Sequence, residues 1–326
     1  MKKIKTIGVL TSGGDAPGMN AAIRAVVRTA IFHRCDVIGI QCGYSGLLQN
    51  LFVPLQSHSV SQKISTGGTF LKSTRCPDFQ LPKFRAIAYK HLEEHKIDGL
   101  IVIGGDGSFR GAEIICKETN IPVVGIPGTI DNDIYGTDYT IGFDTAVNTA
   151  VQAVDKLRDT ADSHNMVFFV EVMGRDAGFI ALNTSISSGA EATLIPEVPT
   201  NIDNLCAYLE MERRSNKTSG IVIVAEGDEQ GSAAEIAAKV KERLPKYETR
   251  VTTLGHIQRG GAPTANDRIL AGMLGHDAVV ALLEGKTGVM VGMVNNKTVF
   301  TPFHEACSRH SEINKRMVDI AYILSL

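Results

Sequence analysis

Six short apolar runs recur along this chain, Ile4–Leu10, Gly99–Ile103, Val123–Ile126, Val167–Val172, Ile221–Ala225 and Thr249–Leu254, with helix-length segments between most of them. Runs this short and this rich in Val and Ile read as buried strands. Strands that alternate with helices build parallel sheets covered by helices. Most of the runs end in a polar loop containing glycine. Ligands of open α/β sheets bind at the carboxyl ends of strands, so function is expected at those loops.

With 326 residues, 44% hydrophobic and 21% charged, the chain can bury a large core and suits two domains better than one. A formal net charge of -2 with scattered Lys and Arg leaves no basic stripe for a nucleic acid. The six cysteines, Cys35, Cys42, Cys76, Cys116, Cys206 and Cys307, show neither C-x-x-C nor metal-ligand spacing, and a reducing, cytoplasmic setting is expected. Neither secretion nor membrane insertion is expected. Ile7–Leu10 is too short for a signal-peptide core, and no stretch of roughly 18 apolar residues is free of charge or repeated glycine. No Pro/Ser linker, charge block or short repeat marks a domain boundary.

The loops carry the chemistry. Pro127-Gly128-Thr129-Ile130-Asp131-Asn132-Asp133 sets a hydroxyl and two carboxylates in a glycine turn after an apolar strand, an arrangement able to deprotonate a bound hydroxyl. Gly104-Gly105-Asp106-Gly107-Ser108 follows another strand with one carboxylate, suited to Mg²⁺ beside phosphate oxygens. Together they suggest phosphoryl transfer onto a hydroxyl. Thr11-Ser12-Gly13-Gly14-Asp15 precedes a helix and reads equally as a phosphate cradle or a plain strand-to-helix turn. It is not G-x-x-x-x-G-K-[ST], and no loop completes G-x-G-x-x-G. Taken singly, Asp106 also reads as a helix N-terminal carboxylate, and Asp131 and Asp133 as a solvated turn.

Ser73-Thr74-Arg75-Cys76 follows the small-residue stretch Ser65–Thr69 and suits a mobile loop bringing a guanidinium to a phosphoryl group. Met173-Gly174-Arg175, Glu226, Arg250 and His256-Ile257-Gln258-Arg259 offer groups for a phosphorylated sugar. Glu226 reads as well as a capped turn acid, and His256 as a core histidine.

In their common order, G-G-D-G-S, P-G-T-I-D-N-D, E-V-M-G-R and G-H-I-Q-R-G-G make the chain resemble the bacterial-type ATP-dependent 6-phosphofructokinases (the phosphofructokinase A family) over nearly its whole length. The resemblance implies an α/β fold of two Rossmann-like lobes, with mainly parallel sheets covered by helices and the active site in the cleft between lobes. The nucleotide-binding lobe would be 1–141 plus 257–307, the substrate-binding lobe 142–256 plus 308–326. It implies transfer of the γ-phosphoryl of Mg-ATP to the C1 hydroxyl of fructose 6-phosphate. Gly14, Arg75, Cys76, Gly105, Asp106, Gly107 and Ser108 would meet ATP, with Asp106 on Mg²⁺. Asp131 would be the base, Thr129 and Ile130 would frame the sugar, and Arg75 and Arg175 would meet the γ-phosphoryl charge. Met173, Gly174, Arg175, Glu226, Arg250, His256, Ile257, Gln258 and Arg259 would hold the sugar phosphate. A homotetramer would carry an effector site including Arg24, Arg28, Arg158, Glu191 and Lys217.

Gly107 and Gly128 match the ATP-using pattern, where pyrophosphate-using relatives carry Asp and Lys. Cys76 stands where an aromatic is common near the adenine. Met166 stands where the family usually has an Arg donated to a neighbouring subunit's substrate phosphate, so weaker, less cooperative substrate binding is expected unless His164 substitutes. Ser57 and Ser215 replace basic effector-site residues and Gln62 an acidic one, which points to a blunted effector response. The competing expectations are a pyrophosphate-dependent enzyme and a non-catalytic regulatory paralogue.

Overall fold

The computed structural model describes residues 3–214 and 219–325, without the side chains of 212–214. It divides into two compact units, one of Met1–Ile130, Ile134–Thr145 and Arg259–Ser311, the other of Asp131–Asp133, Ala146–Gln258 and Glu312–Leu326. The divisions thus fall after Thr145, Gln258 and Ser311, where 141, 256 and 307 were expected. The tripeptide Asp131–Asp133 groups with the second unit.

In chain order the strands are β1 (Thr6–Thr11), β2 (Asp36–Ile40), β3 (Phe52–Leu55), β4 (Gly99–Gly104), β5 (Val123–Thr129), β6 (Ile141–Gly142), β7 (Met166–Val172), β8 (Ala192–Leu194), β9 (Gly220–Ala225), β10 (Glu248–Thr253), β11 (Val289–Val294) and β12 (Lys297–Pro302). All six apolar runs of the sequence are among them. The others are two to four residues long, mixed in polarity, or diluted by Met and Gly as in β11, and each weakens the β-branched pattern that marks a strand.

The first unit is built on a sheet of order β12-β11-β5-β4-β1-β2-β3. Its strands run parallel from β11 through β2, and only the edge strands β3 and β12 are antiparallel. β6 adds a short parallel pairing at the end of β5, with Gly128 opposite Ile141 and Thr129 opposite Gly142. Every residue of β4 is buried, as expected for a strand covered on both faces. Gly125 in β5 is required by packing, since a Cβ there would lie 2.6 Å from Phe109 and 2.7 Å from Phe303. Those two rings stack with centroids 5.5 Å apart. Truncating either to alanine would cost about 3–5 kcal/mol. The helices Met19–Phe32 and Ala265–Leu283 cross closely at Gly275, whose Cβ would stand 2.6 Å from that of Ala25.

The second unit has an all-parallel sheet of order β10-β7-β9-β8. Its core joins Val167 and Phe169 of β7 and Val222 and Val224 of β9 to Ile236, Val240 and Leu209 on the covering helices. Buried Tyr247 donates its hydroxyl to the Leu209 carbonyl at 2.7 Å, so the polar end of an apolar side chain is satisfied. Ser232 and Glu235 form a capping box that starts the helix Ala233–Arg243, a signature legible in the sequence. β10 is an edge strand, and its exposed residues are mostly Glu, Arg and Thr, which blunts edge-to-edge pairing.

Candidate active site

In the first unit the carboxyl ends of the parallel neighbours β1, β4 and β5 lie side by side. The β1 and β4 ends are joined by a hydrogen bond from the Ser12 N–H to the Ile103 carbonyl at 3.0 Å. Gly13 sits at φ +85, a left-handed conformation that costs glycine nothing. At Gly14 a Cβ would meet Arg259 Nη2 at 2.7 Å. That guanidinium is held by Asp15, with Nη2 2.6 Å from Oδ1 and Nε donating to the Asp15 carbonyl at 3.2 Å. Arg259 therefore stands against the first glycine loop, in a different unit from Met173 and Arg175, with which its sequence role had grouped it.

Asp106 opens the helix Asp106–Glu118, where unpaired N–H groups favour negative charge. Arg110, one turn on, sets Nη2 2.8 Å from Asp106 Oδ2. A Cβ at Gly107 would meet nothing within 4 Å, whereas one at Gly128 would press on Ile103 and Met19 at 3.1 Å. Gly107 therefore opens onto space, whereas a side chain at Gly128 would need Ile103 and Met19 to give by a few tenths of an ångström. Buried Tyr44 donates its hydroxyl to the Ser108 carbonyl at 2.5 Å, steadying the same turn. Mg²⁺ takes one or two carboxylates and completes its shell with phosphate oxygens and water, and Asp106 beside open space fits that pattern. Among the described residues no cluster of three or more His, Cys, Asp or Glu would hold a metal alone.

The Ser73–Cys76 segment, which the sequence suits to a mobile loop, carries two side-chain hydrogen bonds to neighbouring loops. Ser73 Oγ donates to the Gly13 carbonyl at 2.6 Å, and Thr74 Oγ1 to the Cys42 carbonyl at 3.1 Å. Upstream, Asn20 Nδ2 donates to the Gly67 carbonyl at 3.0 Å and its Oδ1 accepts from the Phe70 N–H at 2.8 Å. Arg75 is exposed on this segment and Cys76 is partly buried against the core. Asn20 and Tyr44 escaped the sequence reading because their partners are distant in the chain, and the pairing of Asp15, a member of the first glycine loop, with Arg259 was hidden for the same reason.

In the second unit, Asp131 is 5% exposed, and Arg175 Nε approaches its Oδ2 at 3.3 Å. The loop after β7 is shaped around Gly174 at φ +147 and Arg175 at φ +52. Glu226 Oε1 accepts from the backbone N–H of Gly174 at 3.3 Å and of Arg175 at 2.7 Å. Fully buried Gln258 accepts from the Met173 N–H at 3.4 Å. Glu226 and Gln258 thus shape the loop that presents Arg175. Arg250 pairs with Glu248 at 2.6 Å on the β10 edge. His256 and Ile257 are exposed on the short turn Gly255–Arg259. Thr129 ends β5 and Ile130 is buried beyond it.

Of the effector candidates, Arg24 and Arg28 share a helix face, and burial together with the Arg28 charge lowers the proton affinity of Arg24. Arg158 pairs with buried Glu191 at 3.0 Å and donates to the carbonyls of Ser188 and Gly189 at 3.0 and 2.7 Å. Ser57 is exposed and Gln62 has φ +58. Lys217 and Ser215 lie outside the described residues.

The chain belongs to the phosphofructokinase family, whose sequence profile matches residues 6–282. It is 51% identical over 326 residues to ATP-dependent 6-phosphofructokinase 2 of Bacteroides thetaiotaomicron, covering 100% of both chains. To ATP-dependent 6-phosphofructokinase 1 of Thermus thermophilus it is 54% identical over 323 residues, 99% of this chain and 100% of that one. The structure of phosphofructokinase from Saccharomyces cerevisiae matches 98% of this chain at 36% identity and a TM-score of 0.87. This chain covers 46% of that longer one. The pyrophosphate-dependent phosphofructokinase of Marinobacter aquaeolei, with a TM-score of 0.86 at 22% identity over 96% of this chain and 86% of that one, shares the fold.

Proposed function

We propose that this protein is an ATP-dependent 6-phosphofructokinase, transferring the γ-phosphoryl group of Mg-ATP to the C1 hydroxyl of fructose 6-phosphate to give fructose 1,6-bisphosphate in glycolysis. The observation that carries the reading is the buried Asp131 carboxylate with Arg175 Nε at 3.3 Å. Full-length identity of about half to relatives named for this activity supports it.

In this reading Asp131 accepts the proton of the C1 hydroxyl as the oxygen attacks. Its negative charge is lost in that step, and the Arg175 guanidinium turns its charge to the phosphoryl oxygens, joined by Arg75. Thr129 and Ile130 frame the sugar. Met173, Gly174, Glu226, Arg250, His256, Ile257, Gln258 and Arg259 bind its phosphate or shape the loops that do. Gly14, Cys76, Gly105, Gly107 and Ser108 take the nucleotide, and Asp106 holds Mg²⁺, which when bound neutralises phosphate charge. Open space at Gly107 favours ATP over pyrophosphate as donor. A regulatory paralogue has no use for a base and a metal carboxylate together, and the presence of Asp131 and Asp106, residues suited to those two roles, favours an enzyme.

The same reading makes the protein a cytoplasmic, allosteric homotetramer whose effector site draws on Arg24, Arg28, Arg158, Glu191 and Lys217. With Met166 at the start of β7, fructose 6-phosphate binds more weakly and less cooperatively than the family pattern implies. Among the described residues no helix is long and apolar enough to cross a membrane. The test is ADP release with Mg²⁺ across a fructose 6-phosphate titration, alongside a parallel assay with pyrophosphate as donor. Mg²⁺-dependent turnover with ATP and none with pyrophosphate is expected; turnover with neither overturns the reading.

A further inference from the structure

Asp267 is 1% exposed, in the first turn of the helix Ala265–Leu283, and none of the chemistry above uses it. Its Oδ1 accepts from the Gly142 N–H at 2.8 Å. Its Oδ2 accepts from the Thr145 N–H at 2.8 Å and from the Thr145 hydroxyl at 2.5 Å. All these groups belong to the first unit. Burying a carboxylate is costly unless its oxygens are hydrogen-bonded. An apolar residue of similar size would fill the same space, so packing does not account for an acid here. Burial pushes the Asp267 carboxyl upward, with the Asp144 charge adding to this, while the bonds from Thr145 and Gly142 pull it down. An ionised carboxylate only accepts, and it therefore dictates where the Gly142 and Thr145 N–H groups point.

Those groups matter because of what they carry. Gly142 pairs with Thr129 across the β5–β6 ladder, and Thr140 Oγ1 donates to the Thr129 carbonyl at 2.7 Å. From the other side the segment is backed by the first glycine loop. A Cβ at Gly142 would lie 2.6 Å from that of Ala16, and one at Gly18 would lie 2.6 Å from Ile141 Cγ2. Thr129 is two residues before Asp131 in the chain. We propose that Asp267 is a positioning residue for phosphoryl transfer, fixing β6 and through it the Thr129 strand end from which the base is presented. This inference rests on the function proposed above.

The experiment compares wild type with Asp267→Asn, Thr140→Val and Thr264→Ala. Each is assayed for kcat with ATP and fructose 6-phosphate, for ATP dissociation constant by calorimetry, and for melting temperature. Asp267→Asn keeps the shape but turns one acceptor into a donor facing N–H groups, and Thr140→Val removes the hydroxyl on the Thr129 carbonyl. Thr264→Ala removes the hydroxyl that caps the same helix by accepting from the Asp267 N–H and that donates to Asp144 Oδ2, while leaving in place the carboxylate bonds of Asp267 to Gly142 and Thr145. A displacement of about 1 Å at reacting groups costs up to about 10²-fold. Asp267→Asn is thus expected to lose about tenfold or more in kcat, and Thr140→Val several-fold, each with ATP affinity within about twofold of wild type. Thr264→Ala is expected to melt earlier at nearly unchanged kcat.

Undiminished kcat in Asp267→Asn overturns the inference. So does a loss of kcat that tracks loss of ATP affinity and of melting temperature. Should Asp267→Asn fail to fold, Thr140→Val decides, and wild-type kcat there overturns the inference. Absence of wild-type turnover overturns the function and this inference with it, an outcome distinct from normal turnover in the variants alone.

Discussion

Arg175 Nε stands 3.3 Å from Asp131 Oδ2, the guanidinium side chain 58% exposed and the carboxylate side chain 7%. The pair joins a buried acceptor to a cation that reaches solvent. The conformation of Arg175 at φ +52 is one that non-glycine residues adopt rarely, and Glu226 holds it there by accepting from the Arg175 N–H and from the Gly174 N–H before it.

Replacing Asp131 by Asn removes the carboxylate proposed as proton acceptor while preserving shape. Removal of a general base typically costs about 10²–10⁴-fold. Asp131→Asn is expected to lose kcat on that scale while ATP binding by calorimetry stays within about twofold. Retention of more than a tenth of wild-type turnover would exclude Asp131 as the base.

Gly107 faces open space, so Gly107→Asp should fold with an unchanged melting temperature. The new carboxylate lies beside Asp106 and opposes the phosphates of a nucleotide, and a tenfold effect needs only about 1.4 kcal/mol. The half-saturating ATP concentration is expected to rise about tenfold or more in steady-state assays. An unaltered ATP requirement would mean that the nucleotide does not pass this position.

Met166 begins β7 and is half-buried, opposite Glu248 in the β7–β10 ladder. Met166→Arg supplies the cation that the family pattern carries there, and a hydrogen bond to a charged group is worth about 1.5–3 kcal/mol. Half-saturation by fructose 6-phosphate is expected to fall by about tenfold, with a steeper saturation curve. No change would show that His164 or another group already meets the substrate phosphate.

Glu118 receives Arg85 Nη2 at 2.6 Å and the Tyr89 hydroxyl at 2.6 Å. The Arg85 bonds first, then Tyr89, hold its carboxyl down to about 2 from an ordinary 4.5. A depressed carboxyl stabilises the fold fully above its unfolded value and loses that contribution as pH falls through the folded one. The window is therefore pH 4.5 down to about 2. With the Glu118 side chain 37% exposed, solvent screens the pair. Wild type is expected to melt above Glu118→Gln near neutrality, and the two melting curves to converge as pH falls through that window.

Much of the architecture was legible along the chain. β1, β4, β5, β7 and β9 announce themselves because strands covered on both faces need apolar, β-branched residues, a demand local to each strand, whereas β10, an exposed edge strand, shows itself only through its Thr and Val. β6 left no such mark, since two residues carry no periodicity, and it exists through its pairing with Thr129 and its bonds to Asp267. The loop residues Asp106, Thr129, Asp131 and Arg175 could be singled out as candidates because glycine turns after strands have their own local chemistry.

Strand–helix alternation, the chemistry of the loops and the motifs of the phosphofructokinase family are written along the chain, each a property of neighbouring residues. Which residues meet emerges from folding: Arg175 with Asp131, Arg259 with Asp15, Tyr44 with the Ser108 carbonyl, and Asp267 with Gly142 and Thr145. Except for Tyr44 and Arg175, these lie more than a hundred residues from their partners. Such contacts depend on how sheets and helices pack, because a hydrogen bond reads distance and direction in space, and neither is written in sequence separation.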